Sequence, residues 1–84
     1  MSKYDPLRRY LSRQKETSVI LTFGEMESLI GRLLPKAATR ANWWSDPDEG
    51  VSPPLQAAAW RDAGFSAVLI AGQDRARFDR KTPG

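Results

Sequence analysis

The chain has 84 residues, 40% of them hydrophobic and 27% charged, with a formal net charge of +3, which fits one mildly basic globular domain. It contains no cysteine and no histidine, which excludes disulfides, thiolate chemistry, Ser-His-Asp and Cys-His nucleophile systems and ordinary zinc sites. No stretch nears the ~20 apolar residues of a membrane helix, and Met1-Ser2-Lys3-Tyr4-Asp5 lacks the apolar run of a signal peptide. The expectation is a cytoplasmic protein that is not an enzyme and carries no cofactor or metal.

Asp5-Pro6 predicts a helix start, a capping carboxylate followed by proline at the first helical position. Leu7, Tyr10 and Leu11 then fall at i, i+3 and i+4, so a first helix is expected over 6–15. Val19-Ile20-Leu21 reads as a short strand. Thr22-Phe23-Gly24-Glu25 is a capping box, and the helix it opens places Phe23, Met26, Leu29 and Ile30 on one side before Gly31 stops it. Leu33-Leu34-Pro35 anchors a bend, 36–41 reads as a short helical turn, and Asn42-Trp43-Trp44-Ser45 as irregular or extended. Asp46-Pro47-Asp48-Glu49-Gly50 has loop composition.

Ser52-Pro53-Pro54 signals a further helix over 52–63 with Ser52 as its cap and Gly64 as its stop. Leu55, Ala59 and Ala63 form its expected apolar stripe. Residues 65–70 read as a strand, Ala71-Gly72-Gln73-Asp74 as a turn, and 75–80 as a second strand alternating charged and apolar residues. Residues from Lys81 onward read as a tail. The expected organisation is a single domain over 1–84 with an ordered core at about 4–80.

This order, α-β-α-α-β-β, predicts an α+β fold, a small winged-helix-like domain with a C-terminal hairpin as the wing. In such a fold the helix before the hairpin enters the major groove and the wing lies on the backbone or minor groove. Arg75, Arg77 and Arg80 on the wing suit phosphates. Gln56 and Arg61 on the helix suit adenine and guanine edges, and Lys36 and Arg40 can add phosphate contacts. Three consecutive alanines and Asp62 make that helix a poor reader. Other roles compete: charged residues on an exposed strand also block edge association, and Gln56 also suits a half-buried hydrogen bond. Trp43, Trp44 and Trp60 suit the core. Adjacent residues of an extended segment point opposite ways, so Trp43 and Trp44 are also candidate interface aromatics that stack on a base or anchor a partner.

The function expected is nucleic-acid binding, to DNA or RNA, by a small regulator, with helix 52–63 and hairpin 66–80 as contact elements. The alternative is a protein-binding module, such as a small phage or mobile-element inhibitor of a host defence complex, anti-CRISPR-like. Among the acids, Glu25, Glu27 and Asp62 have no spacing that forces two into one pocket. No membrane contact is expected. No leftover amphipathic helix offers a dimer interface, so monomer or weak dimer is the expected state.

Several short patterns stand along the chain: Tyr4-Asp5-Pro6-Leu7, Leu21-Thr22-Phe23 with Glu27 and Ile30-Gly31, Leu34-Pro35, Trp43-Trp44-Ser45, Gln56-Ala57 with Trp60, Ala63-Gly64-Phe65, and Phe78 with Arg80. In these the chain resembles an uncharacterised prokaryotic, phage-associated family of small domains, over nearly its whole length. That family usually has an Asn after the tandem tryptophans, where this chain has Ser45-Asp46. The resemblance implies one compact recurring domain and carries over no catalytic residue.

Overall fold

The clearest local signals in the sequence become element boundaries in a computed structural model, which describes residues 3–45, 50, 52–70 and 72–81. Helix α1 (Asp5–Ser12) begins with Pro in its first turn. Its N-cap is Tyr4, without a side-chain cap bond, so Asp5 acts as a first-turn acid at the positive helix end rather than as the cap. The helix ends earlier than expected, where the Arg13 and Gln14 N–H groups close onto Tyr10 O (3.2 Å) and Leu11 O (3.0 Å). Strand β1 (Ser18–Thr22) runs directly into α2 (Phe23–Ile30). The junction is the expected capping box: Thr22 Oγ1 accepts from the Glu25 N–H (3.0 Å) and Glu25 Oε1 accepts from the Thr22 N–H (2.8 Å). Gly31 ends α2 at φ 73°, the left-handed conformation that glycine adopts without a Cβ penalty.

A 3-10 turn (Lys36–Thr39) leads into a short helix α3 (Ala41–Trp44). The extended reading of Asn42-Trp43-Trp44-Ser45 is therefore corrected. Helical geometry turns Trp44 fully inward, 1% exposed, and leaves Trp43 half-buried. Trp44 stacks between Phe23 (centroids 5.7 Å) and Trp60 (5.4 Å), with Phe78 edge-on at 6.2 Å. Its Nε1 donates to Ala38 O at 2.8 Å, which pins the 3-10 turn to the core. Trp43 meets Tyr4, Trp44 and Trp60 edge-on. Each such pair adds about 0.5–1.5 kcal/mol beyond the burial of its area. Trp44 is thus a core residue and not an interface aromatic.

Helix α4 spans Leu55–Asp62, shorter than the 52–63 expected, and its N-cap is Pro54 without a side-chain cap bond. The expected stripe is also corrected. Leu55 is 56% exposed, whereas Ala57, Ala59 and Trp60 are buried, because α4 packs against both α1 and β2 and the large indole takes the inward direction. Strands β2 (Phe65–Ile70) and β3 (Arg75–Arg80) form the expected hairpin. The sheet is antiparallel in the order β1-β3-β2, so the strand last in the chain is central. Leu21, Phe65, Ala67, Ala76 and Phe78 are buried on its inner face, against which the helices lie. The architecture is α+β in the order α-β-α-α-β-β, with α3 added as one extra turn. The acidic run 46–49, Ala71 and residues 82–84 lie outside the described residues.

Candidate nucleic-acid interface

Period-two alternation along β3 sends Arg75, Arg77 and Asp79 to the face opposite the helices. Each is the middle of a rung across three strands: Thr22–Arg75–Ile70, Ile20–Arg77–Val68 and Ser18–Asp79–Ser66. This outer face is open to solvent. Ile20 is 53% and Val68 46% exposed, and Arg75 and Arg77 are exposed. The two arginines are the long side chains of the face, and the flanking strands carry only short ones.

Arg77 is held in one direction. Its Nε donates to Asp79 Oδ2 at 3.0 Å, and Ser18 Oγ donates to the other carboxylate oxygen of Asp79 at 2.8 Å. A surface pair of this kind adds little stability, but it fixes which guanidinium nitrogens face outward. Arg75 stands next to the hairpin tip, where Gly72 and Asp74 take positive φ values of 76° and 48°. The tip is tied to the start of α2 by the Phe23 N–H, which donates to Asp74 O at 2.9 Å. Hydrogen bonds from the Thr22 backbone and side chain hold the Glu25 carboxyl below its usual range, and the charge of Arg75 adds to that shift.

The other expected contact residues do not join this face. Arg80 has the parity of Ala76 and Phe78 and points inward. Its guanidinium donates to Gln14 O (2.7 Å) and Glu16 O (3.3 Å) and lies 4.8 Å from the centroid of the Phe65 ring, so it fastens the α1–β1 loop to the sheet. Gln56 is half-buried, and its Nε2 donates to Trp43 O at 3.4 Å. Lys36, Arg40 and Arg61 are exposed, but on the 3-10 turn, at the cap of α3 and in the last turn of α4. Helix α4 offers a groove only Leu55, Arg61 and Asp62 as exposed groups. Residues 31–54 separate it from α2, where a helix-turn-helix has a turn of about three or four residues. Sequence reasoning missed Ile20, Val68, Ser18 and Asp79, although strand parity alone places all four on the face of Arg77.

Away from the sheet, an open depression of about 290 Å³ is lined by Tyr10, Leu21, Glu25, Ser28 and Leu29 between α1 and α2. No three carboxylates converge among the described residues, and none of their helices is long and apolar enough to cross a membrane.

A family model described as a domain of unknown function, DUF7662, matches residues 4–82. The chain belongs to this family. No curated protein and no solved structure matches it. The DUF7662 match takes in all three strands and therefore the whole outer face of the sheet.

Proposed function

We propose that this DUF7662 domain binds nucleic acid, and that the open face of its sheet and the β2–β3 wing make the contact. One observation carries the reading: the central strand presents Arg75 and Arg77 side by side on a face that no described helix covers. Guanidinium groups on an open strand suit phosphates and base edges alike. Further cations flank the face. The loop carrying Lys15 is bonded to the end of β3 through Arg80, and Lys81 follows β3 directly. In this reading the β2–β3 hairpin is the contact element, while α4, largely consumed by the core, is a supporting helix.

The test is titration of labelled duplex DNA, single-stranded DNA and RNA at two salt concentrations. Binding that weakens with salt, and that Arg75→Ala/Arg77→Ala weakens at least tenfold, supports the proposal; the salt slope counts the phosphates engaged. Flat titrations for every nucleic acid at low salt refute it. A second reading, a protein-binding module of the inhibitor type, draws on the exposure of Ile20 and Val68 beside Arg77. An arginine framed by apolar side chains also suits a protein interface. Under that reading, Ile20→Asp/Val68→Asp leaves the fold intact and abolishes a stoichiometric complex.

A further inference from the structure

We infer that the outer face of the sheet reads duplex DNA through the major groove, with Arg75 and Arg77 each gripping a guanine and Asp79 holding Arg77 in the reading pose. This rests on the nucleic-acid reading above and narrows it to one substrate class.

The shape of the face comes first. The axes of the outer strands lie about 10 Å apart, so with its backbone atoms the sheet is about as broad as the ~12 Å major groove and far broader than the ~6 Å minor groove, and only the ridge along its middle strand enters. The register sets the two arginines on the middle strand, between rows of short side chains on β1 and β2. The cross-section is a ridge, so the arginines reach the groove floor while the outer strands stay near its walls.

The chemistry follows from the hydrogen bonds. Asp79 occupies Nε of Arg77, so the two terminal amino groups remain for a partner. An arginine presented end-on forms the bidentate pair with guanine O6 and N7. Ser18 holds the second oxygen of Asp79, which makes Asp79 a braced positioning residue. Ile20 and Val68, on either side of Arg77 in its rung, offer methyl contact of the kind that thymine accepts. Residues two apart on a strand lie about 6.8 Å from one another, against a rise of ~3.4 Å per base step. The two guanines therefore lie no more than two steps apart.

Asp79 gives the inference its sharpest edge. A carboxylate on a DNA-facing surface opposes general affinity, so removing it tightens binding to unselected duplex by charge alone. If it also aims Arg77, removing it lowers the preference for guanine at one position. Both effects are expected together in Asp79→Ala, which removes the charge and the acceptor at once.

The experiment selects bound duplexes from a randomised pool with the full chain. It then titrates the selected duplex with each guanine replaced in turn by 7-deazaguanine, which lacks N7. Two guanines within two steps are expected. Arg77→Ala abolishes sensitivity to one of them and Arg75→Ala to the other, each site being worth about 5- to 150-fold in affinity. Asp79→Ala binds unselected duplex at least as tightly as wild type and loses at least threefold in preference at the Arg77 site only. Circular dichroism melts confirm that each variant is folded. Binding without guanine enrichment, or indifference to 7-deazaguanine, overturns the inference while leaving a phosphate-binding face. Preference for single strands over duplex overturns it too. Unchanged preference in Asp79→Ala overturns the positioning role. Absence of binding to any nucleic acid at low salt removes the underlying reading and this inference with it.

Discussion

Replacing Arg80 by alanine separates a structural arginine from a ligand-binding one. The guanidinium makes a 2.7 Å bond to Gln14 O and a longer one to Glu16 O, and covers the Phe65 ring. A hydrogen bond from a charged donor contributes about 1.5–3 kcal/mol, and the cation–π contact about 0.5–1 kcal/mol. The 3.3 Å bond is exposed and adds little. Arg80→Ala is thus expected to cost about 2–4 kcal/mol in total. For a domain of this size each kcal/mol moves the midpoint by about 4–8 °C, so Tm falls by at least about 8 °C. Both bonds come from one terminal nitrogen, so Arg80→Lys keeps a charged donor but loses the planar guanidinium over the Phe65 ring, and falls between. The assay is thermal unfolding followed by tryptophan fluorescence, together with DNA titration well below both midpoints. Affinity per folded molecule stays within about twofold, since one lost phosphate contact would shift the salt slope by about one. A variant that melts within about 3 °C of wild type refutes the bracing role, and lost affinity with preserved Tm places Arg80 among the contact residues.

Trp44→Phe is expected to destabilise more than Trp60→Phe by about 1–2 kcal/mol, read by urea unfolding. Both remove similar buried volume, but only the first strands a buried carbonyl, at Ala38, while Trp60 Nε1 has no hydrogen-bond partner to lose. Thr22→Ala removes one arm of the capping box and costs about 1 kcal/mol in the same assay. The Glu25 carboxyl titrates lower in the folded chain than in the unfolded one, so its contribution is complete above the unfolded value and fades as pH falls through the folded one. Melts of wild type and Glu25→Ala should therefore converge as pH falls through the acidic range, and a gap that persists undiminished refutes the link. Gly31→Ala meets no atom within 4 Å of the added Cβ, yet forces a left-handed φ of 73°. It costs about 1–2 kcal/mol, Gly31→Asn costs less, and equal losses for the two refute a purely conformational origin.

Signals that act within a few residues were legible in the chain. Thr22 and Glu25 cap α2, Gly31 ends it, and the two hairpin strands fall where alternation puts them. Signals that depend on distant partners were not. Core placement suited both tryptophans of the pair, but which of the two turns fully inward is set by Phe23, Trp60 and Phe78, and nothing in their neighbours along the chain says so. Leu55 yields the core to Trp60 because α4 is clasped between α1 and β2. Arg80 is a different kind of miss. The alternation that exposes Arg75 and Arg77 puts position 80 on the side of Phe78, so grouping all three by charge set aside the rule that identified the strand. The same rule marks Ile20, Val68 and Asp79 as neighbours of Arg77 once the register is known.

The central position of β3 has a consequence for how the molecule comes to be. β1 and β2 share no hydrogen bonds with each other, and each is paired through β3 alone. The Ser18–Asp79 contact joins residues 61 apart. On a ribosome, two strands with unsatisfied edges must therefore wait for the third to emerge. The helices can gather around the tryptophans in the meantime. The sheet, and with it any surface drawn across three strands, then forms in one late, cooperative step whose loop-closure entropy sets its pace.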